Sequence, residues 1–168
     1  MLPDAIIYTD GGYRPSKDLG AWGYVIVNPK NKKAITRASA VKGTTNNRME
    51  LGAVVEALRV FKTPDKLILL ISDSQYTINS CSKWIQGWKA NGWKKNTPGE
   101  LKNIDILKEL DALTEKQKMN YRWVRGHSGN YGNDYVDDLL NKAMDLFQEK
   151  GSGEISQQIE NWNGSCTL

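Results

Sequence analysis

The stretch AIIYTDGG, residues 5–12, places an acidic residue and two glycines directly after a short apolar run. This run is too short for a helix and predicts a buried strand that ends at Asp10. A second run, KLILLIS at residues 66–72, is followed in the same way by Asp73. Nearly continuous apolar strands are typical of the parallel part of an α/β sheet. If the two strands are parallel neighbours, Asp10 and Asp73 lie at one edge of the sheet, where open α/β sheets bind ligands.

The rest of the pattern predicts an α/β domain whose first three strands form an antiparallel meander. Strand signals at 20–27 and 33–41 flank a turn signal at 28–31. A fifth strand is expected over 119–124. Helical spacing of apolar residues is found over 47–61, 74–87, 101–113 and 133–148. Residues 151–168 are a polar tail, which we expect to be either a docked helix or disordered.

Length and composition are those of one globular domain, with 168 residues of which 39% are hydrophobic and 25% charged. No apolar run approaches the about 20 residues that a membrane helix needs, and residues 1–4 cannot serve as a signal peptide. We therefore expect a cytoplasmic protein. Cys81 and Cys166 match no metal-binding spacing, and we do not expect them to form a disulfide. The net charge of +4 favours a polyanionic partner.

A glutamate occupies the head of the apolar face of the predicted helix 47–61. That face is formed by Ala53, Val54, Ala57, Leu58 and Phe61, and one step back along it is Glu50. Burying an unpaired carboxylate costs several kcal/mol unless a cation or hydrogen bonds offset the loss of water. The alternative is that Glu50 lies in the hydrated first turn of the helix, where the helix dipole favours it. Beside Asp10 and Asp73, a shared divalent-cation site is the favoured interpretation.

The segment from Ser80 to Pro98 contains no acidic residue and interleaves lysines with tryptophans. Its members are Lys83, Lys89, Lys94 and Lys95, with Trp84, Trp88 and Trp93. Lysines contact phosphates and indole faces stack on bases or sugars, so the segment predicts a nucleic-acid surface. The alternative is that the tryptophans belong to the core and the lysines to a solvated face.

His127 is the single histidine of the chain and lies in the glycine-bounded loop RGHSG, residues 125–129. A histidine in such a loop has no core to fill, which favours a functional role. In the next predicted helix Asp137 flanks the apolar stripe, whereas Asp134 and Asp138 point further from it. Acidic residues near a helix start are also common caps, so these three alone predict no site.

Five motifs of the chain resemble those of type 1 ribonuclease H and occur in the same order. They are YTDGG, TTNNRMEL, SDSQY, GWKANGWKK and RGHSGNYGNDYVD, and the resemblance extends from Ala5 to about Phe147. It implies a ribonuclease H-like α/β fold with a five-stranded mixed sheet, an antiparallel meander plus parallel strands, and helices on both faces. It also implies a catalytic domain over residues 1–150, including a protruding basic handle at about 80–98.

The resemblance further implies endonucleolytic hydrolysis of the RNA strand of an RNA/DNA hybrid, leaving 5′-phosphate and 3′-hydroxyl ends. It assigns the binding of two Mg²⁺ ions, which Mn²⁺ could replace, to Asp10, Glu50, Asp73 and Asp137. Asp137 is chosen because the family pattern has an asparagine, here Asn133, four residues before its aspartate. His127 resembles the loop histidine that assists proton transfer or product release.

Recognition of the hybrid is also implied by the resemblance. Contacts to RNA 2′-hydroxyls are assigned to Gly11, Gly12, Asn46, Asn47 and Gln75. Contacts to the DNA strand are assigned to Tyr76 and Trp84 for the sugar and to Thr45 and Asn103 for a phosphate. Lys89, Lys94 and Lys95 of the handle are expected to contact the hybrid.

Two other functions compete with hybrid cleavage. One is a strand-transfer or junction-cutting nuclease of the same fold, disfavoured by TTNNRMEL and by the handle. The other is a non-catalytic nucleic-acid binding module, disfavoured because a binder gains nothing from acidic groups beside phosphates. No membrane association and no obligate protein partner are implied, and we expect a monomer.

Overall fold

A computed structural model describes residues 2–164; Met1 and residues 165–168, which include Cys166, lie outside the described residues. Cys81 is buried and forms no disulfide with another described residue. The strands are β1 (Ala5–Arg14), β2 (Leu19–Asn28), β3 (Lys33–Lys42), β4 (Leu67–Ser72), β5 (Lys118–Trp123) and β6 (Glu154–Ile159). The helices are α1 (Asn46–Leu58), α2 (Gln75–Asn79), α3 (Ile85–Ala90), α4 (Ile104–Glu115) and α5 (Tyr131–Lys150). No helix among these is long and apolar enough to cross a membrane.

The strands form one mixed sheet in the order β5-β4-β1-β2-β3-β6. The antiparallel meander of β1, β2 and β3 is confirmed, as is the parallel pairing of β1 with β4. In that pairing Tyr8 lies opposite Ile71, two residues before Asp10 and Asp73 respectively. The two aspartates therefore lie side by side where β4 ends. The expectation that the first strand ends at Asp10 is wrong, because β1 continues to Arg14 in its pairing with β2.

The sheet has six strands, and the expectation of five is wrong. The sixth strand, β6, pairs antiparallel with β3 from Ala34↔Ile159 to Ser39↔Glu154. The expectation that the tail after residue 150 is a docked helix or disordered is therefore wrong for Glu154–Ile159. Ile155 and Ile159 are four residues apart, a spacing that puts side chains on one face of a strand as well as of a helix.

Helices cover both faces of the sheet, as expected. Along β1 successive side chains alternate between the faces, so Ile7 packs in the cluster that contains residues of α1 and α4, whereas Ile6 and Tyr8 pack with Val136 of α5. The sheet is thus the middle of three layers, with α1 and α4 on one side and α5 on the other. Side chains from the helices on both faces can therefore reach the same edge of the sheet.

The helix predicted over 74–87 is interrupted. α2 ends at Asn79, a single π turn covers Ser80–Trp84, and α3 continues to Ala90. A π turn inserts one extra residue into the helical path, and here it separates the helix that follows Asp73 from the helix that begins the handle.

Candidate active site

Three carboxylates meet where β4 ends beside the middle of β1. Asp10 lies in β1, Glu50 in the first turns of α1, and Asp73 directly after β4. One oxygen of each lies within 4.8 Å of the others, and no other such group of three metal-ligating side chains occurs among residues 2–164. Asp10 and Glu50 are buried and Asp73 is half-buried. The structure thus brings together three of the four carboxylates singled out from the sequence.

Gly11 allows α1 to approach β1 closely enough for Glu50 to reach this site. A Cβ placed on Gly11 would lie 2.3 Å from the Glu50 nitrogen, so no larger residue fits there without moving the helix. The Gly11 backbone N–H donates to Oε1 of Glu50 and, at 3.0 Å, to Oδ1 of its neighbour Asp10. The start of α1 is in turn fixed by Thr45, whose hydroxyl accepts from the Arg48 N–H at 3.2 Å.

Asp73 is held by groups that the sequence does not assign to the site. The side-chain amide of Asn133 donates to Asp73 Oδ2 at 3.3 Å, and the indole N–H of Trp123 donates to the Asp73 carbonyl oxygen at 2.9 Å. In the sequence Asn133 serves only to select Asp137, and nothing there gives Trp123 a role. Trp123 lies opposite Ser72 at the end of the parallel pair β4 and β5, so the strand-end argument that finds Asp73 could also have found Trp123.

Asp137, the fourth expected carboxylate, lies on α5 beside this group. It is half-buried, and its side chain is one of the groups that raise the pKa of Asp10. Asp138 is exposed, and Asp134 lies in the first turn of α5. Of these three residues, Asp137 is the one that lies beside Asp10 and acts on that carboxylate, and its role as a ligand stays a prediction.

Burial and mutual repulsion make the metal-free site hard to ionise. Loss of water, followed by the charges of Glu50 and Asp73, raises the pKa of Asp10 far above its usual range. Burial raises the pKa of Glu50 to about 7, although hydrogen bonds to Asp10 and to the Gly11 N–H partly oppose the shift. A divalent cation would offset both effects, and three carboxylates with no sulfur or nitrogen donor suit a hard ion.

His127 lies in the loop between β5 and α5 and is exposed, with a left-handed backbone φ of 54°. The loop begins against the carboxylate group, because a Cβ on Gly126 would lie 3.1 Å from Asp73 Oδ2. It ends at Asn130, whose side chain caps α5 by accepting from the Asn133 N–H at 2.9 Å. The histidine is thus carried by a loop whose two ends are fixed next to Asp73.

The expected DNA-side residues form one connected surface. Tyr76 and Trp84 have ring centroids 6.3 Å apart, and Trp84 is 40% exposed. The Asn103 side chain donates to the Tyr76 hydroxyl and accepts from Arg48, each at 3.3 Å. Thr45 lies next to this group at the start of α1. The RNA-side residues Asn46, Asn47 and Gln75 are exposed, and Gly12 is half-buried, with Leu140 3.0 Å from where its Cβ would be.

Some side chains of the handle pack in the core, and others are exposed as a nucleic-acid surface would require. Trp88 and Trp93 pack against the core on the α1 and α4 side, whereas Trp84 presents its ring to solvent. Lys94 is exposed and Lys95 half-buried. The ammonium group of Lys89, in contrast, pairs with Asp111 at 3.0 Å and Glu115 at 2.8 Å on α4. Lys89 therefore fastens the handle to α4, a role that its place in a basic run did not predict.

Comparison with known proteins agrees with this geometry. The family model for RNase H matches residues 3–145. A ribonuclease H of Ruthia magnifica subsp. Calyptogena magnifica is 44% identical over 140 residues, which cover 83% of this chain and 94% of the relative. One of Cupriavidus pinatubonensis is 42% identical over 143 residues, 85% of this chain and 97% of the relative.

Among solved structures, LC9-RNase H1, described as a type 1 RNase H with the type 2 active-site motif, is similar with a TM-score of 0.71 and 26% identity. The similarity covers 98% of this chain and 79% of that one, and so extends past α5 into the C-terminal segment. With its sequence matches, its mixed sheet and its carboxylate group, this chain belongs to the ribonuclease H family.

Proposed function

We propose that Asp10, Glu50, Asp73 and Asp137 bind two Mg²⁺ ions and that the RNA strand of an RNA/DNA hybrid is cut there, leaving 5′-phosphate and 3′-hydroxyl ends. As a ribonuclease H, the chain is a metal-dependent enzyme that hydrolyses the RNA strand of such hybrids. The observation that carries the proposal is the convergence of three carboxylates from three separate elements within 4.8 Å. Because one chain supplies them all, we expect the enzyme to act as a monomer.

The donor set supports magnesium in preference to zinc. All its members are carboxylates, and oxygen ligands suit Mg²⁺ or Mn²⁺, whereas zinc sites use histidine or cysteine more often. Asp137, next to Asp10, extends the group from three ligands to four. Four carboxylates on one edge have enough negative charge for two divalent ions, and Mn²⁺ is expected to substitute for Mg²⁺.

The protein's part in the reaction is to hold these groups in place. When bound, the ions lower the pKa of the attacking water and stabilise negative charge on the leaving 3′-oxygen. The Gly11 N–H fixes the orientation of Glu50, and the Asn133 amide fixes that of Asp73. Such outer contacts typically change metal affinity or activity 10- to 100-fold when they are removed, about the range we expect here. His127 would give or take a proton at its imidazole or help the product leave.

Recognition of the substrate requires separate surfaces for the two strands. Exposed Asn46, Asn47 and Gln75, with the backbone at Gly11 and Gly12, would contact RNA 2′-hydroxyls. Asn103 would receive a DNA phosphate together with Thr45, and its two hydrogen bonds to Tyr76 and Arg48 already fix its side chain. The exposed ring of Trp84 offers a flat surface against which a deoxyribose can pack.

The test is cleavage of a labelled RNA strand hybridised either to DNA or to RNA, with Mg²⁺ and with chelator. We expect cleavage of the RNA/DNA hybrid only, and only with the ion present. Asp73→Asn should abolish it, whereas the matched control Asp138→Asn, an exposed carboxylate of α5, should cleave normally. Cleavage in chelator, or normal turnover by Asp73→Asn, would contradict the proposal.

A further inference from the structure

We infer that the C-terminal segment, residues 151–164, positions the first turns of α5 for catalysis and that Trp162 is its positioning residue. The inference deepens the proposed function, because it concerns the same carboxylates. The segment lies beyond the part of the chain that the family model matches, which ends at residue 145.

The segment is fixed to the sheet along its whole length. After α5 ends, Gly153 accepts a hydrogen bond from the Ala40 N–H at 2.7 Å, and β6 then pairs with β3. The Glu154 carboxylate pairs with Arg37 at 2.7 Å. Beyond β6 the backbone N–H of Trp162 donates to the Lys32 carbonyl at 2.7 Å, in the turn between β2 and β3. These contacts fix the position of Trp162 on the face of the sheet that α5 covers.

Trp162 is the centre of an aromatic cluster that joins α5 to β1. It is 1% exposed, and its ring centroid lies 4.9 Å from that of Tyr131 and 5.4 Å from that of Tyr135, both edge to face. Its centroid is 6.0 Å from that of Tyr8 on β1. Edge-to-face contacts of this kind are a preferred packing of aromatic rings. One indole thus contacts rings from both the start of α5 and the strand beneath it.

The residues that Trp162 contacts alternate with those that reach the carboxylates. Tyr131 and Tyr135 flank Asn133, which donates to Asp73, and Asp137 follows Tyr135 by two residues. Tyr8 is two residues before Asp10 and therefore on the same face of β1. The position of the first turns of α5 over the sheet decides whether Asn133 and Asp137 reach Asp73 and Asp10. Gly132 packs directly on the Tyr8 ring, and Trp162 holds that ring and the two tyrosines of α5 in place from the side.

The shape of the ring carries this role. Among the described residues, the buried indole N–H of Trp162 has no hydrogen-bond acceptor. A phenyl ring should therefore replace the indole with little loss, because it keeps the edge-to-face contacts and removes a donor that is not satisfied. An aliphatic side chain should not replace the indole without loss, because it leaves Tyr131 and Tyr135 without a ring to pack on.

The experiment compares the full-length protein with Trp162→Ala and Trp162→Phe. Ile155→Ala is the matched control, because Ile155 lies on β6 but packs against a different cluster. kcat and KM for a hybrid, calorimetric binding of Mg²⁺ without substrate, and hydrogen exchange of residues 131–137 are measured well below the melting temperatures. If Trp162→Ala does not fold, Trp162→Leu takes its place with the same expectations.

For Trp162→Ala we expect kcat to fall about tenfold with KM little changed, since misplacing a catalytic group by a fraction of an ångström has effects of this order. Mg²⁺ binding should weaken, and exchange at 131–137 should become faster than in the wild type. Trp162→Phe should keep kcat, Mg²⁺ binding and hydrogen exchange at 131–137 close to their wild-type values. Ile155→Ala should change none of these measurements.

The inference is overturned if kcat of Trp162→Ala stays at the wild-type value, if Ile155→Ala loses as much kcat, or if exchange at 131–137 does not change. Failure of the proposed function itself is distinguishable, because the wild type would then not cleave the hybrid with Mg²⁺ at all.

Discussion

Asp10→Asn should stabilise the protein when no metal is present. In the metal-free site the pKa of Asp10 is raised far above neutrality by burial and by the charges of Glu50 and Asp73. At pH 7 the folded protein must therefore protonate a carboxyl whose ordinary pKa is 3.8. At 1.36 kcal/mol per pH unit this protonation costs about 4 kcal/mol of folding free energy at pH 7. Asparagine resembles the protonated acid and does not carry the cost.

The gain in folding stability expected for Asp10→Asn has an upper limit. The gain cannot exceed about 4 kcal/mol at pH 7, and partial hydration of the site reduces it, so we expect about 1 to 3 kcal/mol. For a chain of this length, each kcal/mol corresponds to about 3 °C in Tm. The assay is thermal and urea unfolding of both proteins with chelator at pH 7, with Asp138→Asn as the exposed control.

The pH dependence has a defined sign. Because the folded-state pKa values of Asp10 and Glu50 are raised, their stabilising contribution is complete below the unfolded values and is lost as pH rises. For Glu50 the loss occurs between the ordinary pKa of 4.5 and about 7. The metal-free wild type should therefore become less stable from pH 5 to pH 8, and Asp10→Asn should do so less steeply.

Magnesium should reverse the order of stability. An ion at 1,000 times its dissociation constant stabilises the folded state by about 4.1 kcal/mol, more than the gain expected for Asp10→Asn, which has lost a ligand for the ion. Lower stability of Asp10→Asn than of the wild type in chelator, or equal stabilisation of both proteins by Mg²⁺, would contradict this prediction.

Three further predictions concern individual contacts. Asp73→Asn should lose hybrid cleavage in a gel assay while anisotropy still detects hybrid binding in Mg²⁺; cleavage at the wild-type rate would contradict the ligand assignment. Lys94→Gln and Lys95→Gln should each lower the salt slope of hybrid binding by about 1, whereas Lys89→Gln should lower Tm instead, because its ammonium pairs with Asp111 and Glu115. Equal slopes for all three variants would show that Lys89 also faces the substrate. Trp123→Phe removes the donor to the Asp73 carbonyl and should lower kcat about tenfold with KM unchanged; an unchanged kcat would show that the indole does not hold Asp73.

The sequence predicted the parts of the fold that depend on local pattern. Two apolar runs that each end in an aspartate were enough to place Asp10 and Asp73 at one edge, because side-chain burial and strand direction follow from such runs. Glu50 was found because it stands where an apolar residue belongs. In each case the signal was a charged group at a position that an uncharged one would otherwise occupy.

The parts that the sequence did not predict depend on long-range pairing. Ile155 and Ile159 are compatible with a strand or a helix, and only the free edge of β3 decides between them. Lys89 looked like its neighbours in the handle, and only the position of α4 shows that it pairs with Asp111. Trp162, the third apolar residue of a polar tail, gave no sign that it packs beside Tyr131.

We propose that four carboxylates of this chain hold two divalent ions beside Asp10, where β4 ends next to β1. The most direct test is a crystal of the protein soaked in Mn²⁺ and measured for anomalous scattering. The account predicts two peaks about 4 Å apart, contacted by Asp10, Glu50, Asp73 and Asp137. A crystal at millimolar Mn²⁺ with no peak at these residues, or with its peaks elsewhere on the protein, would contradict it.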